Sequence, residues 1–168
     1  MAGSSSTSTN FDLNSTEIKS LATAAIAAKT HAYCPYSNFR VGASFLTNDG
    51  KLVSGANVEV ASTPVGICAE RCALAPLVAQ YERPHMPRIR ACAVSTDIWP
   101  PASCCGMCRQ MMREFCELDM KVYMYGRQES QNYKGLSAER ELEVCGEPAV
   151  MTMGEMLPMS FGPNDLKH

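Results

Sequence analysis

Cys68-Ala69-Glu70-Arg71 and Cys105-Gly106-Met107-Cys108 are the two stretches of this 168-residue chain around which the remainder can be arranged. In a catalytic site, Zn²⁺ takes three protein ligands of nitrogen or sulfur type and leaves a fourth tetrahedral position open. Three thiolates supply such a set here, because Cys105 and Cys108 are i and i+3 at the start of a helix and share one face. Cys68 completes the set from a distant part of the chain. The spacing therefore predicts one metal site that ties two helix starts together.

Glu70 is the candidate proton carrier of this site. It follows Cys68 by two residues, a spacing that does not share a face in a regular helix. We therefore expect Cys68 on the first helical turn, from which Glu70 still reaches the cavity. Elsewhere, a first-turn glutamate commonly does no more than stabilise the helix dipole. Between a cysteine ligand and a downstream Cys-x-x-Cys pair, proton transfer at the metal is the interpretation we favour.

The charge of such a site needs compensation. Three thiolates around a divalent cation leave one net negative charge, which opposes ionisation of a further ligand. Two helix N-termini aimed at the ion would offset it, since each carries roughly half a positive charge and lowers the pKa of nearby thiols. Arg71, beside the glutamate, is a second candidate for this role.

The zinc deaminases share a His-x-Glu…Pro-Cys-x-x-Cys signature that has a three-cysteine variant. This chain resembles one group of them, the small homotetrameric cytidine deaminases. The similarity runs in consistent order from Leu13 to Leu166, interrupted by one apparent insertion. Besides the cysteine stretches it includes Tyr36-Ser37-Asn38-Phe39-Arg40-Val41-Gly42-Ala43, Asn57-Val58-Glu59 and Leu157-Pro158-Met159-Ser160-Phe161-Gly162-Pro163.

The resemblance implies both an architecture and an activity. The fold would be three-layer α/β/α with a mixed sheet of about five strands, in agreement with the order of helical and strand patterns along the chain. The reaction would be hydrolytic deamination of cytidine and deoxycytidine to uridine and deoxyuridine, with release of ammonia, in pyrimidine salvage. The resemblance further implies one Zn²⁺ per subunit and a homotetramer whose active sites are shared between subunits.

Roles at the metal follow from the same resemblance. Glu70 would take a proton from the attacking water, protonate the ring nitrogen and later supply a proton to the departing ammonia. Such transfer typically accelerates a reaction about 10²- to 10⁴-fold. Arg71 would donate hydrogen bonds to the cysteine sulfurs, and the backbone near Ala69 would read the base edge.

The nucleoside contacts depend more heavily on the resemblance. It implies that Asn57 and Glu59 bind the ribose 3′-hydroxyl, that Phe39 packs its ring against the pyrimidine and that Phe161 closes a neighbouring subunit's pocket. By residue type alone, Asn57 and Glu59 share one face of a strand, which suits a sugar and equally a solvated strand end. Phe39 alone would be assigned to the core.

The net charge of the chain limits the kinds of molecule that we expect it to bind. The net charge of −2, from 15 basic and 17 acidic residues, provides no electrostatic footprint for a polynucleotide or an anionic membrane. We therefore expect a small nucleoside substrate and disfavour a polynucleotide cytosine editor. Nine cysteines, without a basic and apolar leader in Met1–Asn10, indicate reduced thiols and a cytoplasmic location. No apolar run reaches the roughly 18 residues of a transmembrane helix.

The chain divides into a tail and one domain. Residues 1–12, rich in Ser and Thr, are expected to be disordered. Residues 13–168 are expected to form a single catalytic domain. Within it, residues 126–148 are polar, charged and longer than the resemblance requires, so we predict a surface insertion.

The first half of the domain has clear helix and strand patterns. Asn14 and Glu17 form a capping-box pattern that begins an alanine-rich helix, whose face should pack on a sheet or another subunit. This helix must end by Cys34, because a proline follows. Alternating apolar residues predict strands over 39–45 and 51–60, joined by an Asn-Asp-Gly turn.

The second half continues with alternating helices and strands. The helix after Cys68 should kink or break at Pro76, and strands are predicted over 90–96 and 121–125. A capping-box pattern at Thr152-Met153-Gly154-Glu155 begins a last short helix that ends at Pro158. The helix opened by the second cysteine pair should bury Met111, Met112, Phe115 and Leu118.

Three positions depart from the family pattern. Cys104 takes the place of a proline, so it could compete with Cys105, or as a fourth ligand make the site purely structural. Val60 and Thr63 replace an asparagine and an aromatic residue near the pocket, which leaves a related aminopyrimidine nucleoside analogue open as substrate. The remaining cysteines and the histidines are assigned no metal: Cys34, Cys72, Cys92, Cys116, Cys145, His31, His85 and His168.

Overall fold

Five strands form the central sheet of the computed structural model, which describes residues 12–82, 85–128, 133 and 135–166. The strands are β1 (Val41–Thr47), β2 (Leu52–Ala56), β3 (Ile89–Thr96), β4 (Lys121–Tyr125) and β5 (Ala149–Thr152). They lie in the order β2-β1-β3-β4-β5, in which β3 and β4 are parallel and the other neighbours are antiparallel. The predicted mixed sheet of five strands is confirmed.

Helices cover both faces of this sheet. They are α1 (Ser15–Lys29), α2 (Ala69–Ala79), α3 (Gly106–Phe115), α4 (Ala138–Cys145) and α5 (Met153–Met156). Side chains of β3 alternate between the faces: Ala91 and Ala93 pack in a cluster with α1 and α4, and Cys92 and Val94 pack in a cluster with α2, α3 and α5. The predicted three-layer α/β/α arrangement is confirmed.

Short sequence signals determine where α1 begins and ends and where the chain turns between β1 and β2. Asn14 and Glu17 form the predicted capping box, in which each side chain accepts a hydrogen bond from the other's backbone N–H. α1 ends at Lys29, before Cys34 as predicted. β1 and β2 pair through the predicted turn, where Gly50 has a φ of 81° that a residue without a Cβ adopts at little cost.

Two strand glycines allow helices to lie close to the sheet. A Cβ on Gly42 would stand 2.1 Å from the Ala25 carbonyl oxygen of α1, and a Cβ on Gly55 would stand 2.5 Å from the Ala73 amide nitrogen of α2. Both distances are far shorter than a van der Waals contact, so a larger residue would push the helix away. Gly55 therefore sets the distance between the sheet and the helix that follows Cys68.

The strand predictions need two corrections. β1 begins at Val41, so Phe39 precedes it, and β2 ends at Ala56 rather than near residue 60. Beyond β2 the chain forms only isolated bridges, from Val58 to residues 33 and 67, because it turns there toward α2. β5 was not predicted as a strand, since its four residues are too few to show a clear alternation.

Two helix predictions need correction. α2 does not break at Pro76 but continues to Ala79, because Pro76 lies on the exposed side of the helix, where water can satisfy a freed carbonyl. That the helix kinks at Pro76 stays a prediction. α3 ends at Phe115, so Leu118 lies beyond the helix and its side chain is 46% exposed. Met112 is buried as predicted, and Phe115 packs partly buried against the same cluster.

The segment 126–148, predicted as a surface insertion, is partly in the core. It contains α4, whose Glu141 and Cys145 are buried, and Tyr133 is buried as well. The polar sequence concealed this burial, because Glu141 is compensated by Lys29 of α1 rather than by solvent. That the segment is an insertion stays a prediction.

The predicted disordered tail falls almost entirely outside the described residues. Residues 1–11 lie outside them, whereas Asp12 is placed and accepts a hydrogen bond from Lys121 Nζ at 2.9 Å. Among the described helices, none combines the length and apolar character needed to cross a bilayer.

Candidate metal centre

The N-termini of α2 and α3 meet at three cysteines. Cys68 is the N-cap of α2, Cys105 is the N-cap of α3, and Cys108 lies in the first turn of α3. Cys68 has an extended backbone, with φ −74° and ψ 155°, so it precedes the first helical turn on which it was predicted. Both helices therefore place their unpaired N–H groups and positive dipole ends at this cluster, as predicted.

The three sulfurs are close enough to share one ion. Their Sγ atoms all lie within 4.8 Å of one another, and those of Cys68 and Cys105 are 3.8 Å apart. Sulfurs that each lie ~2.3 Å from a tetrahedral Zn²⁺ are ~3.8 Å from one another. The donor set therefore fits one Zn²⁺ and leaves one coordination position open. Within the described part of the chain, no other His, Cys, Asp and Glu side chains form such a group.

The thiols of this cluster compete for protons. A hydrogen bond from Cys108, supported by the guanidinium of Arg71, lowers the pKa of Cys68 to about 5 although burial opposes the change. The same bond to Cys68, together with burial, raises the pKa of Cys108. A divalent cation that replaces the shared proton lets all three thiols ionise, which is the chemistry of a thiolate metal site.

Glu70 and Arg71 are brought to the cluster by the first turn of α2. Only 3% of Glu70 is exposed, which places a carboxylate inside the site and away from bulk solvent. Arg71 Nη2 donates to Cys68 Sγ at 3.8 Å, the contact predicted for it. Ala69, between Cys68 and Glu70, is fully buried at the start of the same helix.

Cys104 does not join the metal cluster, so the hypothesis that it competes with Cys105 is wrong. The described sulfurs that could share an ion are those of Cys68, Cys105 and Cys108. Cys104 instead packs into the core, where its side chain contacts that of Glu70. Burial first, and then the charge of Glu70, raise the pKa of the Cys104 thiol. Because its sulfur does not join the other three, the coordination position that they leave open is preserved.

Arg109 is a residue of the site that the sequence analysis missed. Its guanidinium donates to Cys104 O at 2.7 Å, to Ser103 Oγ at 2.7 Å and to Met156 O at 2.8 Å. It thus fastens the loop that ends at Cys105 to the end of α5. The available signal was its position directly after the Cys-x-x-Cys pair.

A cavity of about 280 Å³ lies around Glu59 and is lined by Tyr36, Ser37, Glu59, Val60, Thr63 and Gly66. Glu59 accepts hydrogen bonds from the Tyr36 amide at 2.9 Å, from the Ser37 amide at 3.1 Å and from the Ser37 hydroxyl. These bonds, that of the Ser37 hydroxyl foremost, lower the pKa of Glu59. Its carboxylate is therefore an ionised acceptor at the cavity wall. Tyr36 and Ser37 were not predicted as site residues, although they belong to the stretch around Phe39.

Asn57 is bonded to the backbone beside Phe39. Its Oδ1 accepts from the Val41 amide at 2.8 Å, and its Nδ2 donates to Phe39 O at 2.8 Å. Asn57 and Glu59 both lie beyond β2, so the premise that they share one strand face is wrong. Phe39 is half-buried and belongs to neither described hydrophobic cluster, which argues against its assignment to the core.

Phe161 lies at the surface of the chain. Its side chain is 60% exposed, and it is not among the described residues that line the Glu59 cavity. Gln110 Nε2 of α3 donates to its carbonyl oxygen at 3.2 Å. The C-terminal segment therefore presents an aromatic ring outward.

Comparison with known proteins identifies relatives of this chain. Residues 15–125 match the family model of the cytidine and deoxycytidylate deaminase zinc-binding region. The chain is 37% identical over 142 residues to the cytidine deaminase of Halalkalibacterium halodurans, covering 84% of this chain and 92% of the relative.

Solved structures show the same similarity. Cytidine deaminase from Burkholderia pseudomallei superposes with a TM-score of 0.68 at 38% identity, over 84% of this chain and 97% of that one. Cytidine deaminase from Mycobacterium leprae superposes with a TM-score of 0.62 at 30% identity, over 88% of this chain and 100% of that one.

Proposed function

This chain belongs to the cytidine and deoxycytidylate deaminase family, and from that premise we propose that it hydrolyses cytidine and deoxycytidine to uridine and deoxyuridine with release of ammonia. The observation that carries the proposal is the buried carboxylate of Glu70 at the start of α2, beside a three-cysteine cluster with one open ligand position. The relatives named cytidine deaminase support the choice of substrate.

The residues of the cluster divide the chemistry between them. Cys68, Cys105 and Cys108 would hold a Zn²⁺ ion, which as a Lewis acid would lower the pKa of bound water toward neutrality. Glu70 accepts a proton from the attacking water and gives it to the ring nitrogen beside the carbon under attack. The same carboxylate then takes the remaining proton from the hydroxyl group added to that carbon and passes it to the exocyclic amine, so that the carbonyl forms as the C–N bond breaks and ammonia leaves. Arg71 and the two helix N-termini offset the negative charge of the thiolates.

The cavity around Glu59 offers a site for the sugar of a nucleoside. An ionised carboxylate accepts hydrogen bonds from the 3′-hydroxyl of ribose or deoxyribose. None of the described residues that line this cavity is a lysine or arginine, so a phosphate in place of the 3′-hydroxyl would meet no cationic partner there. Val60 and Thr63 line the same cavity, which favours a related aminopyrimidine nucleoside analogue as a second candidate substrate.

Two further contacts hold the base in this proposal, and one further contact holds the sugar. The ring of Phe39 packs against the pyrimidine, and the unpaired N–H groups near Ala69 at the start of α2 read its edge. Asn57 contributes to the sugar site through the donor and acceptor capacity that its two backbone bonds leave unused.

We further propose a homotetramer in which Phe161 of one subunit closes the pocket of its neighbour. The exposed ring of Phe161 supports this arrangement, because a large apolar side chain at the surface favours a subunit contact.

We also propose a cytoplasmic location. All nine cysteines are free thiols, which supports a reducing environment of that kind.

Glu70→Gln tests the proposed function, because it keeps the size of the side chain and removes its capacity to take up a proton. Ammonia release from cytidine and deoxycytidine should fall about 10²- to 10⁴-fold, whereas zinc content and melting temperature stay at wild-type values. Glu82→Gln, at an exposed glutamate just beyond α2, is the matched control and should retain full activity.

Three outcomes would contradict the proposal in different ways. Wild-type protein that deaminates neither nucleoside would overturn the substrate assignment. Full turnover by Glu70→Gln would remove Glu70 from the mechanism. Tight binding of single-stranded nucleic acid at physiological salt would favour a polynucleotide editor instead.

A further inference from the structure

A buried lysine joins three elements on the side of the sheet away from the cysteine cluster. Only 1% of Lys29, at the end of α1, is exposed. Its Nζ lies 2.5 Å from Glu141 Oε1 of α4 and 3.0 Å from Asp97 Oδ1, and it donates to the carbonyl oxygen of Thr96 at 3.4 Å. Lys29 therefore connects the 126–148 segment to the end of β3.

The ionic contacts continue from Asp97 to Arg40. Arg40 Nε donates to Asp97 Oδ2 at 2.7 Å, and Arg40 Nη2 donates to Asp97 Oδ1 at 3.2 Å. This two-point contact fixes the orientation of the guanidinium as well as its position. The four side chains form one network, in which two cations balance two carboxylates.

The network ends at the backbone that presents Phe39. Arg40 follows Phe39 directly, and the two residues that flank Arg40 are bonded to the carboxamide of Asn57, through Phe39 O and the Val41 amide. Arg40 is thus restrained by its side chain at Asp97, and its neighbours are restrained by Asn57. A shift of Asp97 would move the segment that carries Phe39.

Stability alone does not explain this network. Burying charges requires desolvation, and a buried ion pair is often no more stabilising than apolar side chains of the same volume. The geometry supplies something that apolar packing does not, namely directional contacts that link α4 to one defined position of Arg40.

We propose that Glu141 of α4 is a positioning residue for the substrate pocket, which acts through Lys29, Asp97 and Arg40 on Phe39. The 126–148 segment thereby becomes part of the scaffold that binds the base. This inference rests on the proposed function, because Phe39 is taken to pack against the pyrimidine.

Glu141→Gln tests the proposal, since it removes the charge that faces Lys29 and keeps the side-chain volume. The KM for cytidine should rise roughly two- to tenfold, in the lower range of coupling within one network, while kcat and zinc content stay unchanged. A rise in KM alone indicates lost binding rather than lost chemistry. Glu143→Gln on the same helix is the matched control, because Glu143 is exposed and paired only with the exposed Arg140 among described ion pairs.

A double variant keeps the test decisive if Glu141→Gln folds poorly. Lys29→Met combined with Glu141→Met removes both charges without leaving one of them buried and unpaired, and it should show the same rise in KM with a near wild-type melting temperature. Equal KM values in wild type, Glu143→Gln and the double Met variant would overturn this inference alone. A wild-type chain that turns over no cytidine would overturn the proposed function and this inference with it.

Discussion

Cys104 and Cys105 are adjacent in sequence and have opposite environments. Cys105 is exposed at the N-cap of α3, with its sulfur 3.8 Å from that of Cys68. Cys104 is 2% exposed and packs beside Glu70. Adjacent cysteines cannot both face the ion here, because the extended backbone at the N-cap directs successive side chains to opposite sides.

This contrast predicts different zinc contents for two serine variants. Replacing a residue that only contacts a metal ligand typically weakens metal binding roughly 10- to 100-fold, and Cys105→Ser, which removes a ligand, should weaken zinc binding by more than that. It should also lower the melting temperature, since zinc binding contributes folding energy. Cys104→Ser should retain one zinc per chain. Metal analysis of both purified variants checks this. Loss of zinc from Cys104→Ser would show that Cys104 is a metal ligand after all.

The carboxyl group of Asp97 should make the folded state less stable as the pH becomes acidic. Burial raises the pKa of Asp97, but the hydrogen bonds and charges of Arg40 and Lys29 outweigh burial and lower the pKa below its ordinary value. A carboxyl group with a lower pKa in the folded state contributes stability above the unfolded pKa of ~3.9, and this contribution is lost as the pH falls through the folded pKa.

Asp97→Asn should therefore be less stable than wild type at pH 7, and the difference in unfolding free energy should shrink below about pH 4. Denaturant titrations of both proteins across this range measure that difference. Zinc release at low pH affects both proteins alike and cancels in the comparison. A difference that stays constant down to the lowest pH at which both fold would contradict the ionised state of Asp97.

At the scale of elements, the close contact between β2 and α2 positions the start of α2, where the cysteine cluster lies. Gly55→Ala would place a methyl group 2.5 Å from the Ala73 amide and 2.8 Å from the Ala69 carbonyl oxygen. Overpacking of this kind typically costs about 1–3 kcal/mol. Because α2 begins at the metal cluster, displacing it should also reduce zinc affinity and turnover.

Thermal denaturation and zinc titration of Gly55→Ala check this prediction. Gly106→Ala is the matched control, because a Cβ at Gly106 meets no described atom within 4 Å and alanine is the better helix former. It should be as stable as wild type or slightly more so. Equal stability of the two alanine variants would show that α2 does not depend on close approach to β2.

Element boundaries that depend on local interactions were predictable from sequence. Both capping boxes, at Asn14 and at Thr152, involve residues three positions apart, and the hairpin turn needs only its own glycine. The end of β2 and the continuation of α2 past Pro76 depend on which side of the element meets solvent. No pattern within a few residues contains that information.

At the scale of the whole molecule, Phe161 tests whether subunits share their sites. In a homotetramer with a shared pocket, Phe161→Ala should raise the KM for cytidine without changing zinc content, because Phe161 is not one of the metal ligands. Light scattering reports the assembly, and steady-state kinetics report KM.

Co-expression of Phe161→Ala with Glu70→Gln distinguishes sharing from a local effect. A mixed oligomer pairs an intact Glu70 in one subunit with an intact Phe161 in its neighbour, so activity should exceed the sum of the two separate variants. Activity equal to that sum, or a monomeric wild type, would contradict the shared pocket.

The sequence by itself determined the chemistry of this protein: three cysteines in two helix-start patterns, a glutamate beside the first, and the stretches that mark the family. Such features are short, and their residue types and spacing are dictated by a metal ion and a helix turn. The tertiary structure decided that Cys104 faces the core, that α4 is partly buried, and that Lys29 links Glu141 to Asp97. These outcomes depend on packing and charge compensation between segments far apart in the chain, where only the folded arrangement determines which groups meet.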